Sequence, residues 1–362
     1  MAIWKIDELG EFVTLKRGYD LPQQKRKNGE IPIFSSSGVT GTHNEAMVEA
    51  PGVITGRYGT IGEVFFAETS FWPLNTTLYV ENFHENDEKF VYYFLKTLEW
   101  KKFASASAVP GINRNTVHKE IVRFPDFETQ QKIASVLSTI DKKIAVNKAI
   151  NDSLEQQAAA LFSSLYNRSN TEVGYTDLIQ ILGGGTPKTG ETAYWNGNIA
   201  FFTPKDVGTP YTFITEKTIT EEGLSHCNSR LYPVNTVFVT ARGTVGKVGL
   251  SGIPMAMNQS CYALVGKETH QLLVYFYTLK AVDRLKHKAS GAVFDAITTR
   301  DFDSEQIMKL SDDDAKAFLC VAEPMFQEML NNSIENLRLS TLRDFLLPKL
   351  MSGEIDVSSV QL

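Results

Sequence analysis

The sequence predicts an α+β fold: two similar mixed α/β domains separated by two long helices that pair as an antiparallel coiled coil, with pseudo-two-fold symmetry. Three observations carry this expectation. A heptad seam occupies residues 133–165, the same seam returns over residues 318–350, and matching glycine-rich segments precede both.

Taken at alternating steps of four and three, the first seam reads Ile133, Leu137, Ile140, Ile144, Asn147, Asn151, Leu154, Ala158, Leu161, Leu165. Moved by 185 positions it reads Phe318, Ala322, Met325, Met329, Asn332, Asn336, Leu339, Arg343, Leu346, Leu350, with Arg343 the one poor fit. Apolar residues at this spacing mark one face of a helix. Asparagine in a seam weakens a coiled coil but fixes its register. Asn147, Asn151, Asn332 and Asn336 are the fifth and sixth positions of the two copies, so centre would face centre. Pro324 is expected to bend the second helix and Pro348 to end its regular part, since proline lacks an amide donor.

Ahead of the helices, Arg57-Tyr58-Gly59-Thr60-Ile61-Gly62-Glu63-Val64 is matched by Ala241-Arg242-Gly243-Thr244-Val245-Gly246-Lys247-Val248. An asparagine follows each in a similar place, Asn75 and Asn258. Ala106-Ser107-Ala108-Val109 and Ser290-Gly291-Ala292-Val293 then lead towards each helix. Residues 52–55, 78–80 and 236–240 are β-branched or apolar runs that read as strands. Residues 90–103 and 272–286 read as amphipathic helices. The expected order is a domain over 1–126, a long helix over 127–167, a second domain over 168–311, a second long helix over 312–353 and a tail over 354–362. A helix of about 40 residues is roughly 60 Å long. The second domain joins the end of one helix to the start of the next, which favours an antiparallel pair and a dumbbell arrangement.

The composition is that of a globular protein, 43% hydrophobic and 22% charged, with no apolar run of membrane-spanning length. Three widely spaced cysteines (Cys227, Cys261, Cys320) suit reduced thiols in a cytoplasmic protein. A net charge of −6 counts against a simple nucleic-acid binder. It leaves room for a local basic cleft, or for partners that share phosphate neutralisation.

This plan resembles the specificity subunits of type I restriction–modification systems, and the resemblance spans nearly the whole chain. It rests on Leu346-Leu347-Pro348-Lys349-Leu350-Met351-Ser352-Gly353-Glu354-Ile355 at the end of the second helix and Pro125-Asp126-Phe127-Glu128-Thr129-Gln130-Gln131-Lys132-Ile133 at the start of the first. Gly185-Thr186-Pro187 resembles the motif that opens a recognition domain in this family; the first domain departs from it with Lys16-Arg17-Gly18-Tyr19-Asp20. The resemblance implies two target-recognition domains, each reading one half of a bipartite double-stranded DNA target, and a helical rod that sets the gap. It implies two methyltransferase subunits docked on the helices, with S-adenosylmethionine and adenine methylation on those partners, and restriction–translocase subunits beyond them. This chain would carry no catalysis and no cofactor or metal of its own.

The residues themselves agree that chemistry is absent. There is no Asn-Pro-Pro-Tyr and no Phe-x-Gly-x-Gly, and Gly183-Gly184-Gly185-Thr186-Pro187-Lys188-Thr189 fails as a P-loop because Pro187 stands where glycine is required. Pro125-Asp126 with Asp141-Lys142-Lys143 fits a loose metal-nuclease pattern, but Asp141 and Lys143 fall on the heptad helix, where a solvated face is expected.

Candidate DNA contacts remain. Arg57, with Tyr58 beside it, and Arg242 sit next to glycines at places read as equivalent, and arginine can hold guanine bidentately or grip a phosphate. Ser35 and Ser36, Lys188, and Lys205 lie in polar loops. Lys101, Lys102, Lys286 and Lys288 form basic clusters on predicted helices. For each the bland alternative is an ordinary turn or solvated face. The competing functions are a coiled-coil scaffold without DNA, and the specificity part of a self-contained restriction–methylation enzyme.

Overall fold

In a computed structural model of the chain, residues 3–105, 110–208, 210–288 and 296–361 are described; the repeats at 106–109 and 290–293 lie outside the described residues. Strand pairing closes both copies in the same way. In the first, a four-stranded antiparallel sheet runs in the order Thr14–Arg17, Thr77–Asn82, Gly52–Gly56, Val64–Ala67. In the second, the order is Ile179–Gly183, Cys261–Gly266, Val237–Thr240, Val248–Ser251, with Tyr211–Thr212 added in parallel at the edge. A three-stranded sheet accompanies each: Gly38–His43, Ile31–Ser35 and Trp72–Pro73 in the first copy, and Lys217–Ile219, Trp195–Phe202 and Met255–Met257 in the second. A short antiparallel pair then leads into each long helix, Trp4–Glu8 with Ile121–Pro125 and Thr171–Gly174 with Gln306–Lys309.

The long helices are Phe127–Arg168 and Asp312–Ser352. The chain divides into two compact units that cut both helices near their asparagines: Met1–Ala145 with Asn336–Leu362, and Val146–Glu335. Within each unit a globular α/β domain packs on antiparallel helix halves. In the first unit Ile133, Ala134 and Leu137 share a core with Leu350, Met351 and the domain's Phe90, Phe94 and Phe124. In the second, Ala158, Phe162 and Leu165 share one with Phe318, Ala322, Phe326 and the domain's Tyr275, Phe276 and Tyr277. No seam position of either helix is exposed, and Ala134, Phe162, Phe326 and Met351, which lie off the seam, pack beside it.

Two expectations about the helices are corrected. The second helix does not end at Pro348 but runs on to Ser352, and it is continuous through Pro324. An interior proline forfeits one hydrogen bond, but here Ala322, Phe326, Leu350 and Met351 bury the turns on either side. The helix stops instead at Gly353, whose φ of +76° suits glycine and whose N–H donates back to Leu350 O at 3.2 Å. Asp141 is no solvated face. It accepts from Arg343 Nη1 at 2.8 Å and from Tyr93 Oη at 2.6 Å, which also accounts for arginine in the seam. Burial, with the Asp141 hydrogen bond and charge, pushes the Tyr93 phenol well above its ordinary pKa. The predicted helix over 90–103 is Glu88–Thr97 followed by a 3-10 turn, Trp100–Phe103.

The seam asparagines meet in the second unit. Asn332 Nδ2 donates to Asn151 Oδ1 at 3.0 Å, and Asn151 Nδ2 donates to Met329 O and Ser333 Oγ, both at 3.2 Å. Asn147, fully buried, donates to Glu335 at 2.7 Å; Asn336, in the first unit, is half-buried.

Candidate nucleic-acid interface

The same set of loops converges in each globular domain, and backbone hydrogen bonds define which residues correspond. The Gly56 amide donates to Glu63 O at 3.2 Å and the Thr240 amide to Lys247 O at 2.9 Å, closing matching turns. Positive φ at Gly59 (+74°), Gly62 (+88°), Gly243 (+82°) and Gly246 (+73°) explains the repeated glycines, since a Cβ is strained there. The amides of Arg57 and Tyr58 both donate to Thr76 O, at 2.8 and 3.2 Å; those of Ala241 and Arg242 both donate to Ser260 O, at 2.8 and 3.3 Å. Ile112 donates to Arg57 O and Ile297 to Ala241 O, while Tyr58 bridges Gly111 and Arg242 bridges Ala296.

Arg57 therefore corresponds to Ala241, and Arg242 to Tyr58. The reading of the two arginines as equivalent is off by one residue, and neighbours in extended backbone point to opposite sides. The asparagine match shifts likewise. Tyr19 N donates to Pro73 O at 2.8 Å and Gly185 N to Met257 O at 3.1 Å. Asn75, which donates to the Asp20 carboxylate, thus corresponds to Gln259, which accepts from the Thr186 hydroxyl.

Arg57 is half-buried, its Nε donating to Ile112 O at 3.1 Å and its guanidinium lying 4.6 Å from the Tyr58 ring centre. Arg242 is exposed and forms no side-chain hydrogen bond or ion pair among the described residues. It lines a cleft of about 330 Å³ with Thr203, Lys205, Glu216, Lys217, Asn258 and Ser260. Lys205 leans 3.2 Å from Glu216, and Lys217 lies 5.6 Å from the Trp195 ring. Asp206 shapes this loop by accepting from Thr203 N and Oγ and from Glu216 N at 2.6–2.8 Å. Lys188 is exposed, and its carbonyl accepts from the Trp195 indole at 3.2 Å.

In the first domain Ser35 completes its own turn, donating to Gly38 O at 3.1 Å. Ser36 stands against the glycine turn, its Oγ 3.3 Å from where a Cβ on Gly59 would lie; Pro204 holds the matching place beside Gly243. Lys101 and Lys102 border Ile61, Gly62 and Glu63, and Lys102 pairs with Glu120 at 2.5 Å. Lys286 reaches over Gly246 in the same way. Lys288 and Arg284 instead hold the two oxygens of Glu305, which is fully buried, at 2.5 and 2.7 Å. Sequence reading missed Lys217, Glu216 and Glu305, because only the folding of the three-stranded sheet brings Lys217 and Glu216 beside Arg242, and only the packing of the helix end brings Glu305 to Lys288 and Arg284.

Of the nuclease-like residues, Asp126 caps the first long helix: its carboxylate accepts from Thr129 N at 3.0 Å and Ile3 N at 2.7 Å. Burial disfavours its charge, but these hydrogen bonds prevail and its pKa is lowered. Among the described residues no three His, Cys, Asp or Glu side chains gather as a metal site, and no helix is long and apolar enough to cross a membrane.

The family model described as "Type I restriction modification DNA specificity domain" matches residues 1–156 and again 169–309. The type I restriction enzyme HindI specificity subunit of Haemophilus influenzae is 25% identical over 345 residues, covering 72% of this chain and 75% of that protein. The EcoR124I/EcoR124II specificity subunit of Escherichia coli is 29% identical over 204 residues, covering 52% and 50%. The crystal structure of the type I restriction–modification S subunit from M. genitalium shares the fold, with a TM-score of 0.65 at 17% identity over 96% of both chains. With the family model matched in both copies and the same loops built twice, the chain belongs to the type I restriction–modification DNA specificity family, with one recognition domain in each unit.

Proposed function

We propose that this chain reads a bipartite double-stranded DNA target, one half-site per recognition domain, for an adenine methyltransferase and restriction complex. Two methyltransferase subunits dock on the long helices and bring S-adenosylmethionine; restriction–translocase subunits join them in the cytoplasm. The chain itself does no chemistry. Its continuous helices set the unread gap between half-sites. One observation carries the reading: a rim of the same loops is built twice on one backbone pattern, but with different side chains at the tips. Two similar frames with different tips suit two different half-sites.

The test is co-purification with the neighbouring methyltransferase subunit and mapping of methylated adenines with and without this chain. A split motif of fixed gap that vanishes with the chain is expected; methylation independent of the chain would refute the reading. Exchange of residues 1–126 for a relative's first domain should change one half-site only. One heptad inserted into both helices should widen the gap.

A further inference from the structure

We propose that the position occupied by Tyr58 in one domain and Arg242 in the other is a base-reading position, and that Arg242 reads a guanine in the second half-site. This deepens the functional reading above and rests on it. The argument is a contrast between a constant frame and a variable tip. The two residues donate their amides to corresponding carbonyls (Thr76 O and Ser260 O), follow corresponding strands, bridge corresponding downstream residues (Gly111 and Ala296) and precede a glycine of positive φ. Only the side chain differs. A phosphate contact carries no sequence information, so the backbone of a duplex makes the same demand on this position in both half-sites, whereas the bases do not. An aromatic ring in one copy and a guanidinium in the other is what two different half-sites require.

The surroundings fit direct readout. Arg242 is exposed and has all its donors available among the described residues. The other cations of its cleft already have neighbours, Glu216 for Lys205 and the Trp195 ring for Lys217. Asn258 and Ser260 add polar groups to the wall. A planar fork of donors matches the O6 and N7 acceptors of guanine. In the first domain the guanidinium one residue earlier, Arg57, is tied to Ile112 O and lies over Tyr58, so it acts as a positioning residue for that ring.

Arg242→Lys and Arg242→Gln, each in the complete complex, test this. Lysine keeps the charge and loses the fork; glutamine loses the charge. Mapping of methylated adenines should show both variants relaxed at one base of the second half-site, with the first half-site unchanged as an internal control of folding. Discrimination at that base should fall about 5- to 150-fold, the equivalent of ~1–3 kcal/mol. In DNA binding, Arg242→Gln should leave the slope of log affinity against log salt unchanged. An intact motif with uniformly weaker methylation, and a slope smaller by about 0.9, would overturn the proposal in favour of a phosphate contact. An unchanged motif and unchanged affinity would overturn it outright. Both leave the bipartite reading standing, whereas a wild-type complex whose methylation ignores the chain sinks that reading and this one together.

Discussion

Positions 141 and 343 of the first unit hold an ion pair, Asp141 with Arg343 at 2.8 Å, joined by the Tyr93 hydroxyl. Moved by 185 in the repeat, the same two positions of the second unit are Phe326 and Ala158, buried to 4% and 0% exposure. A short acid and a long base on one side are matched by a large and a small apolar residue on the other. Both solutions fill the angle between a recognition domain and its helices. The difference shows that the fold asks for complementary volume at this place and leaves the chemistry open. An ion pair needs both partners, because removing one leaves a half-buried charge; the apolar pair needs only shape.

The largest expected effect breaks that pair. Arg343→Ala should lower stability by about 2 kcal/mol, less than for a fully buried pair because both side chains retain some solvent, and lower the melting temperature by roughly 4–8 °C. The double variant Asp141→Phe/Arg343→Ala, which copies the second unit's pair into the first, should be more stable than Arg343→Ala, but short of the wild type by about 1 kcal/mol because the Tyr93 hydroxyl loses its acceptor. A double variant as unstable as the single would show that the two units are not interchangeable here.

A smaller effect concerns the amides. Asn151→Leu strands the Asn332 donor and should cost about 1–2 kcal/mol in thermal unfolding. Asn151→Leu/Asn332→Leu should melt at or above the wild type, since paired apolar residues strengthen a seam while relaxing its register. Equal losses in single and double variants would deny that the two amides act on each other.

The smallest effect separates the helix caps. The first helix is capped by the Asp126 carboxylate and the second by Ser311, whose Oγ accepts from Asp314 N at 3.1 Å. Removing either, as Asp126→Ala or Ser311→Ala, should cost about 1 kcal/mol at pH 7. The Asp126 pKa is lowered in the folded chain, so its ionised cap stabilises fully above the ordinary aspartate value of about 4 and fades as pH falls through the folded value. The penalty of Asp126→Ala should therefore shrink as melting is followed from pH 7 towards pH 3, while that of Ser311→Ala stays level. Parallel curves for the two would refute the assignment of the acid-sensitive cap to Asp126.

Sequence alone determined the plan. Heptad spacing selects the buried face of a helix whatever else it touches, so the seam, the helix start at Phe127 and the repeat were legible. Positive-φ turns demand glycine, so the turns at 59–62 and 243–246 were legible too. Family membership followed from motifs at the helix ends. The sequence could not decide which tip faces which, because a strand alternates its side chains and a shift of one residue reverses them; the hydrogen bonds to Thr76 O and Ser260 O set that register. Nor could it decide that Asp141 and Arg343 meet, or that Lys288 belongs to Glu305. Those pairs join residues on elements far apart in the chain or on a helix and the loop beyond it, and charge is felt through space. Tertiary packing alone chooses which charges stay free for a ligand and which are consumed in holding the fold.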